Sequence, residues 1–139
     1  MSDFHKLLPL LLLTMAGLAA LFGCGQDDSA SQPAVVHSYD VRGVVRQLPR
    51  PAAPQSELWI HHESISGFVD INGEEKGMES MTMPFIPSPE LSLEGIAVGD
   101  KVTFTLEIDW DATPPATITT IDTLPADTLL EWEAATEQP

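Results

Sequence analysis

The sequence holds one cysteine, Cys24, among 139 residues. A secreted domain stapled by disulfides needs an even set of cysteines, so that architecture is excluded and the folded part must stand on its hydrophobic core. Basic side chains are scarce as well: six lysines and arginines face 21 carboxylates, for a formal charge of −15. A surface that acidic repels phosphate backbones and anionic headgroups, which argues against nucleic acid as a partner. No glycine-rich phosphate loop, serine–histidine–aspartate set or histidine pair at zinc spacing occurs, so the signatures of nucleotide, acyl-transfer and zinc chemistry are missing and a non-enzymatic protein is expected. The acidic pairs Glu74-Glu75 and Asp109/Asp111 read as solvated turns, because calcium loops need oxygen ligands at closer, regular intervals.

The one long apolar run, Leu7 to Leu21, falls short of the roughly 20 residues that a spanning helix needs and follows a short polar segment bearing Lys6. It reads as an export signal over residues 1–23. The run ends in Leu21-Phe22-Gly23-Cys24, which resembles a bacterial lipobox. That resemblance implies that Cys24 carries a diacylglyceryl group and becomes the mature N-terminus. The alternative is an uncleaved N-terminal anchor with an incidental cysteine. Either way the remainder is placed in the bacterial cell envelope, facing the periplasm and meeting the membrane through its anchor only. Residues 24–37 include the small, polar stretch Gly25 to Pro33 and read as a flexible tether.

From Ser38 the pattern turns to short strands. Tyr39 to Arg46 is β-type with Tyr39, Val41 and Val45 inward, and Arg42 and Arg46 outward with no special role. Pro49 to Pro54 breaks it, and Leu58-Trp59-Ile60-His61-His62 forms a second strand. Asn72-Gly73 marks a hairpin turn within an irregular stretch. Ser80 to Ile86 is a third strand, stopped by Pro87 and Pro89. Ser88 to Ile96 has room for one helical turn. Lys101 to Ile108 alternates cleanly, and Ala116 to Leu124 supplies a fifth strand. A short helix over Thr128 to Ala135 would lay Leu129, Leu130 and Trp132 on the domain. The expectation is an all-β domain over residues 38–125, a small five-stranded barrel or sandwich, with an acidic tail at 126–139.

The chemistry concentrates in Met78-Glu79-Ser80-Met81-Thr82-Met83. Alternate residues of a strand share a face, so Met81 and Met83 point the same way. Thioethers are soft donors that favour Cu(I) over zinc, magnesium or calcium, and imidazole is compatible with copper too. Unlike a cysteine pair, they cannot close into a disulfide outside the cytoplasm. One imidazole would complete a trigonal site for Cu(I) or Ag(I). His61 and His62 are strand neighbours facing opposite sides, so at most one can join. Methionines at alternate strand positions are also ordinary core residues.

Ile60-His61-His62-Glu63-Ser64-Ile65, Met81-Thr82-Met83-Pro84-Phe85 and Gly99-Asp100-Lys101-Val102 resemble the CusF-like periplasmic copper-binding domains over about Tyr39 to Leu124. The resemblance implies a five-stranded OB-fold-like barrel that binds Cu(I) or Ag(I), with His62 before the acidic residue and Met81 and Met83 as metal ligands. It implies a metallochaperone, here a monomer, that hands the ion to an export pump or a copper-enzyme assembly partner. Where efflux members carry a capping tryptophan, this sequence has Met78, a third thioether that could complete a four-coordinate site or pack beside it. Trp59 is on the wrong strand to be assumed a replacement. The stretch Val69 to Gly77 lengthens the path from His62 to Met81 and reads either as a hairpin shielding the metal or as a surface loop. The competing reading is a metal-free envelope lipoprotein, a binding module with the methionines in its core.

Overall fold

A computed structural model describes residues 33–134 of the chain. The expected signal over 1–23, Cys24 and most of the tether lie outside the described residues. Five strands form an all-β closed barrel: β1 (Val36–Gln47), β2 (Leu58–His62), β3 (Met81–Pro87), β4 (Lys101–Asp109) and β5 (Ala116–Thr123). Around the barrel the order is β1-β2-β3-β5-β4, closing on β1. All contacts are antiparallel except β3 with β5. This is the OB-type arrangement, in which closure leaves little sheet edge to protect.

β4 shows why the barrel closes. Its Val102, Phe104, Leu106 and Ile108 are all sealed inside, while the residues between them are half-buried, as a period of two dictates. On β1, Val41 and Val45 face the same core, with Tyr39 packed against it. β5 does not keep strict alternation: Ile118 and Ile121 are both buried although three positions apart. The pairing passes from Thr105 with Thr120 to Leu106 with Ile118. Thr119 is therefore an extra residue, and such a bulge returns Ile121 to the inner face. A second shift, between Val45 and Gln47, makes Arg46 the extra residue of β1.

β1 begins at Val36, where it pairs with Asp109, two residues before the boundary read at Ser38. Ser88 to Ile96 contains turns and no helix; Pro87 and Pro89 flank its start and remove backbone donors. The acidic segment after β5 is described as far as residue 134 and is held to the barrel. Leu130 is fully buried, the Lys101 ammonium donates to the Thr128 carbonyl at 2.7 Å, and a short helix, α1 (Glu131–Ala134), follows. Leu129, expected on the barrel, is 57% exposed, because its neighbour Leu130 takes the inward position.

Gly43 sets the approach of β1 to β2. A Cβ there would stand 2.5 Å from the His61 carbonyl oxygen, 2.7 Å from Ile60 Cγ2 and 3.0 Å from His62 Cα. Two of the three are backbone atoms that cannot swing aside. Gly43→Ala is expected to lower stability by about 1–3 kcal/mol through overpacking, read as a lower urea midpoint at unchanged slope.

The stretch between β2 and β3 is a hairpin fastened to the barrel. Val69 bridges Glu75, and Gly73 takes the turn with φ of 78°, a conformation glycine adopts without strain. At its base Val69 N–H donates to the Tyr39 hydroxyl (3.0 Å) and Trp110 Nε1 donates to the Val69 carbonyl (3.2 Å). Phe68 packs between the Tyr39 and Trp110 rings, at 5.6 and 6.2 Å between centroids. Within the hairpin, Asp70 accepts from Lys76 at 2.9 Å and from the N–H groups of Asn72 and Glu74. Lys76 foremost, then those N–H groups, hold its carboxyl at about 2. A depressed carboxyl stabilises the fold above its unfolded value near 4, and that contribution is lost as pH falls through about 2. Asp70 should therefore still be ionised at pH 3 by its carboxyl carbon shift, and Lys76→Ala should bring its titration back up.

Candidate metal centre

The β2–β3 ladder brings the two sequence clusters together. His62 lies directly opposite Met81, His61 opposite Thr82, and Ile60 opposite Met83. Directly opposed residues share a face, with Cβ atoms roughly 4.5–5.5 Å apart. Leu58, Ile60 and His62 of β2 are buried, so Met81, Met83 and Phe85 face the barrel interior with them. Exposure falls along that face of β3: Met81 is 44% exposed, Met83 is half-buried and Phe85 is sealed. The histidine–methionine cluster therefore sits at a mouth of the barrel, closed below by the Phe85 ring, 5.9 Å from the His62 ring and edge-on to it.

His62 is fully buried, and its two nitrogens are in different states. Nδ1 lies 2.6 Å from the Glu63 carbonyl oxygen. A carbonyl only accepts, so Nδ1 carries the hydrogen, and in the neutral ring Nε2 carries the lone pair. That Nε2 is buried without a hydrogen-bond partner. An unsatisfied buried acceptor costs about 1–3 kcal/mol, which a cation bound at Nε2 would recover. An imidazole fixed through Nδ1 with Nε2 open has the form of a metal-ligating histidine.

His61 points the other way. Its Nδ1 lies 2.8 Å from Thr82 Oγ1 and its Nε2 3.4 Å from Ser80 Oγ, and the Trp132 ring stands edge-on at 4.4 Å. Its pKa is lowered by burial first, then by the charges of Arg46 and His62. Trp59 also faces outward, with Nε1 on the Glu57 carboxylate at 3.1 Å.

Met78 enters by an interruption of the ladder. Ile65 and Met78 exchange backbone hydrogen bonds of 2.8 and 2.9 Å, in the register that β2 and β3 already hold. Between the two stretches Glu63-Ser64 and Glu79-Ser80 are outside the strands, with a bend at Ser80. Three positions along an unbroken strand would turn Met78 outward relative to Met81. Across the break, Ile65 is buried as His62 is, and Met78 packs half-buried against the core. Met83 packs against the core as well, whereas Met81 stands at the rim.

Arg42, read from the sequence as an outward residue with no role, is outward but engaged. Its guanidinium grips the Glu63 carboxylate with Nε and Nη2, both at 2.8 Å. Ser64 donates its N–H and hydroxyl to the Glu131 carboxylate, which lowers the Glu131 pKa. These partners are 21 and 67 positions apart, and no local sequence pattern announces them. Among the described residues no group of three His, Cys, Asp or Glu side chains is placed to hold a metal ion. The donors at the mouth are one imidazole and thioethers, a set that suits Cu(I) or Ag(I) and not hard cations.

The described residues thus define a small OB-type barrel with a histidine–methionine cluster at one mouth. The chain is similar to apo-CusF, residues 6–88, from Escherichia coli, at 22% identity and TM-score 0.50, over 68% of this chain and 95% of that one. It also matches a CusF–Ag(I) structure, residues 10–88, from Escherichia coli, at 23% identity and TM-score 0.46, over 64% of this chain and 94% of that one. A further Ag(I)CusF crystal structure matches at 20% identity and TM-score 0.43, over 63% and 99% of the respective chains. At 22% identity the property shared with apo-CusF is the fold. No protein-family profile matches the sequence, and no curated protein does.

Proposed function

We propose that the chain is a Cu(I)/Ag(I) metallochaperone, not an enzyme, facing the periplasm and tethered by lipid at Cys24. His62, Met81 and Met83 bind the ion, and Met78 is the fourth donor. The observation that carries this reading is the partnerless, buried His62 Nε2 on the same barrel face as Met81 and Met83. A thioether at the rim, as Met81 is, suits hand-over by ligand exchange, because an incoming donor can engage the ion before the old ones leave. The recipient would be an export pump or a copper-enzyme assembly protein. The purified chain, given Cu(I) under reducing conditions and desalted, is expected to keep about one equivalent. The competing reading, a metal-free binding module, draws on the packing of Met78 and Met83 against the core; retention of no copper would favour it.

The anchor is tested separately. With Cys24 lipidated, the native protein should partition with membranes, and Cys24→Ser should change its processing and release or stall it. An unmodified thiol at residue 24 in the mass spectrum of the mature protein would end that part of the proposal.

A further inference from the structure

Glu63, the residue after His62, is held from several sides. Arg42 grips its carboxylate with two nitrogens at 2.8 Å, and the Glu131 N–H donates to Oε1 at 2.7 Å. Its own N–H donates to the Arg42 carbonyl at 2.9 Å. The next residue, Ser64, is fastened by the Glu131 carboxylate through both N–H and hydroxyl, at 2.7–3.0 Å. Glu63 is buried, its side chain 10% exposed; such a carboxylate is costly to desolvate, and an apolar side chain could seal this corner at no such cost. What the clamp does accomplish is to fix the Glu63 peptide, whose carbonyl oxygen accepts the His62 Nδ1 hydrogen at 2.6 Å. Strands β1 and β2 and the C-terminal segment therefore all converge on the group that decides which ring nitrogen of His62 is free.

We infer that Arg42, Glu63 and Glu131 form a positioning clamp that holds the His62 ring as the Nδ1–H tautomer, with the Nε2 lone pair presented to the ion. This rests on the reading of His62 as a metal ligand. It gives the segment after β5 a task at the site: its α1 residue Glu131 locks the corner from outside the barrel. Carbonyl or carboxylate partners of ligating histidines tune metal affinity by about 10–100-fold when removed, and here the residue and the peptide that carry the carbonyl are held by charge-assisted bonds, to the Glu63 carboxylate and from the Ser64 N–H.

The test begins with the metal-free full-length chain, labelled at histidine nitrogen, in a long-range proton–nitrogen correlation spectrum. Wild type should show His62 protonated at Nδ1 alone. In Glu63→Ala and Arg42→Ala both tautomers should appear, and Cu(I) affinity should fall about tenfold or more. Glu63→Gln, which keeps an acceptor for Arg42 and the Glu131 N–H, should retain the single tautomer. Glu131→Ala removes only an exposed side chain and should shift His62 in the same direction by less, so a misfolded Glu63 or Arg42 variant does not leave the question open. Wild-type protonation at Nε2, or an unchanged tautomer and affinity in the folded variants, would overturn the clamp. A chain that takes up no Cu(I), while its His62 tautomer still answers to Glu63 and Arg42, would instead overturn the metal-carrier reading.

Discussion

Replacing His62 with alanine is expected to weaken Cu(I) binding by at least tenfold, about 1.4 kcal/mol, whereas His61→Ala should leave affinity near wild type. The two residues are chemically identical neighbours, and strand parity alone separates them. His62 faces Met81 across the ladder with its Nε2 unpartnered and buried. His61 spends its ring on Thr82, Ser80 and Trp132 at the outer surface. Competitive titration against a Cu(I) chelator of known affinity, with circular dichroism to confirm the fold, measures both variants. Equal losses, or a larger loss at His61, would show that the ion is not bound on the inner face.

That parity is legible in the sequence alone. Alternation in Lys101 to Ile108 and the spacing of Met81 and Met83 are local properties, and both appear in the barrel as read. The sequence admitted only one of the two histidines to the methionine face, and resemblance named His62. Less legible were features that depend on one inserted residue. Ile118 and Ile121, three apart, do not fit a plain strand, and the bulge at Thr119 reconciles them. Gly43 looked like an unremarkable member of a β run; its need to be glycine comes from the backbone of β2 across the ladder. The Arg42–Glu63 and Ser64–Glu131 contacts were not legible at all. In a chain with 21 carboxylates, charge gives no hint of which acid meets which base across the barrel. The hairpin at Val69 to Gly77 was placed by its Asn72-Gly73 turn, but its anchoring through Phe68 to Tyr39 and Trp110 required the strands to be assembled first.

The thioethers give the second large effect. Met81→Leu combined with Met83→Leu should abolish retention of Cu(I) while leaving the fold intact, since leucine conserves volume and such exchanges cost less than about 1.5 kcal/mol. A core function alone would survive that exchange, so loss of metal without loss of stability separates the two readings of these residues. Met78 is the finer case. Its backbone is tied to Ile65 by two hydrogen bonds, and a bend at Ser80 separates it from β3, so strict strand alternation does not dictate that it turns away from Met81. Its side chain is half-buried and packs against the same core cluster that Met83 meets. Water is a poor ligand for so soft an ion, and a third thioether fills the open position of a three-coordinate centre better. X-ray absorption of the Cu(I)-loaded chain is therefore expected to show about three sulfur scatterers and one nitrogen, falling to about two sulfurs in Met78→Leu. Identical spectra and affinities in wild type and Met78→Leu would make Met78 a packing residue and leave His62, Met81 and Met83 as the complete ligand set.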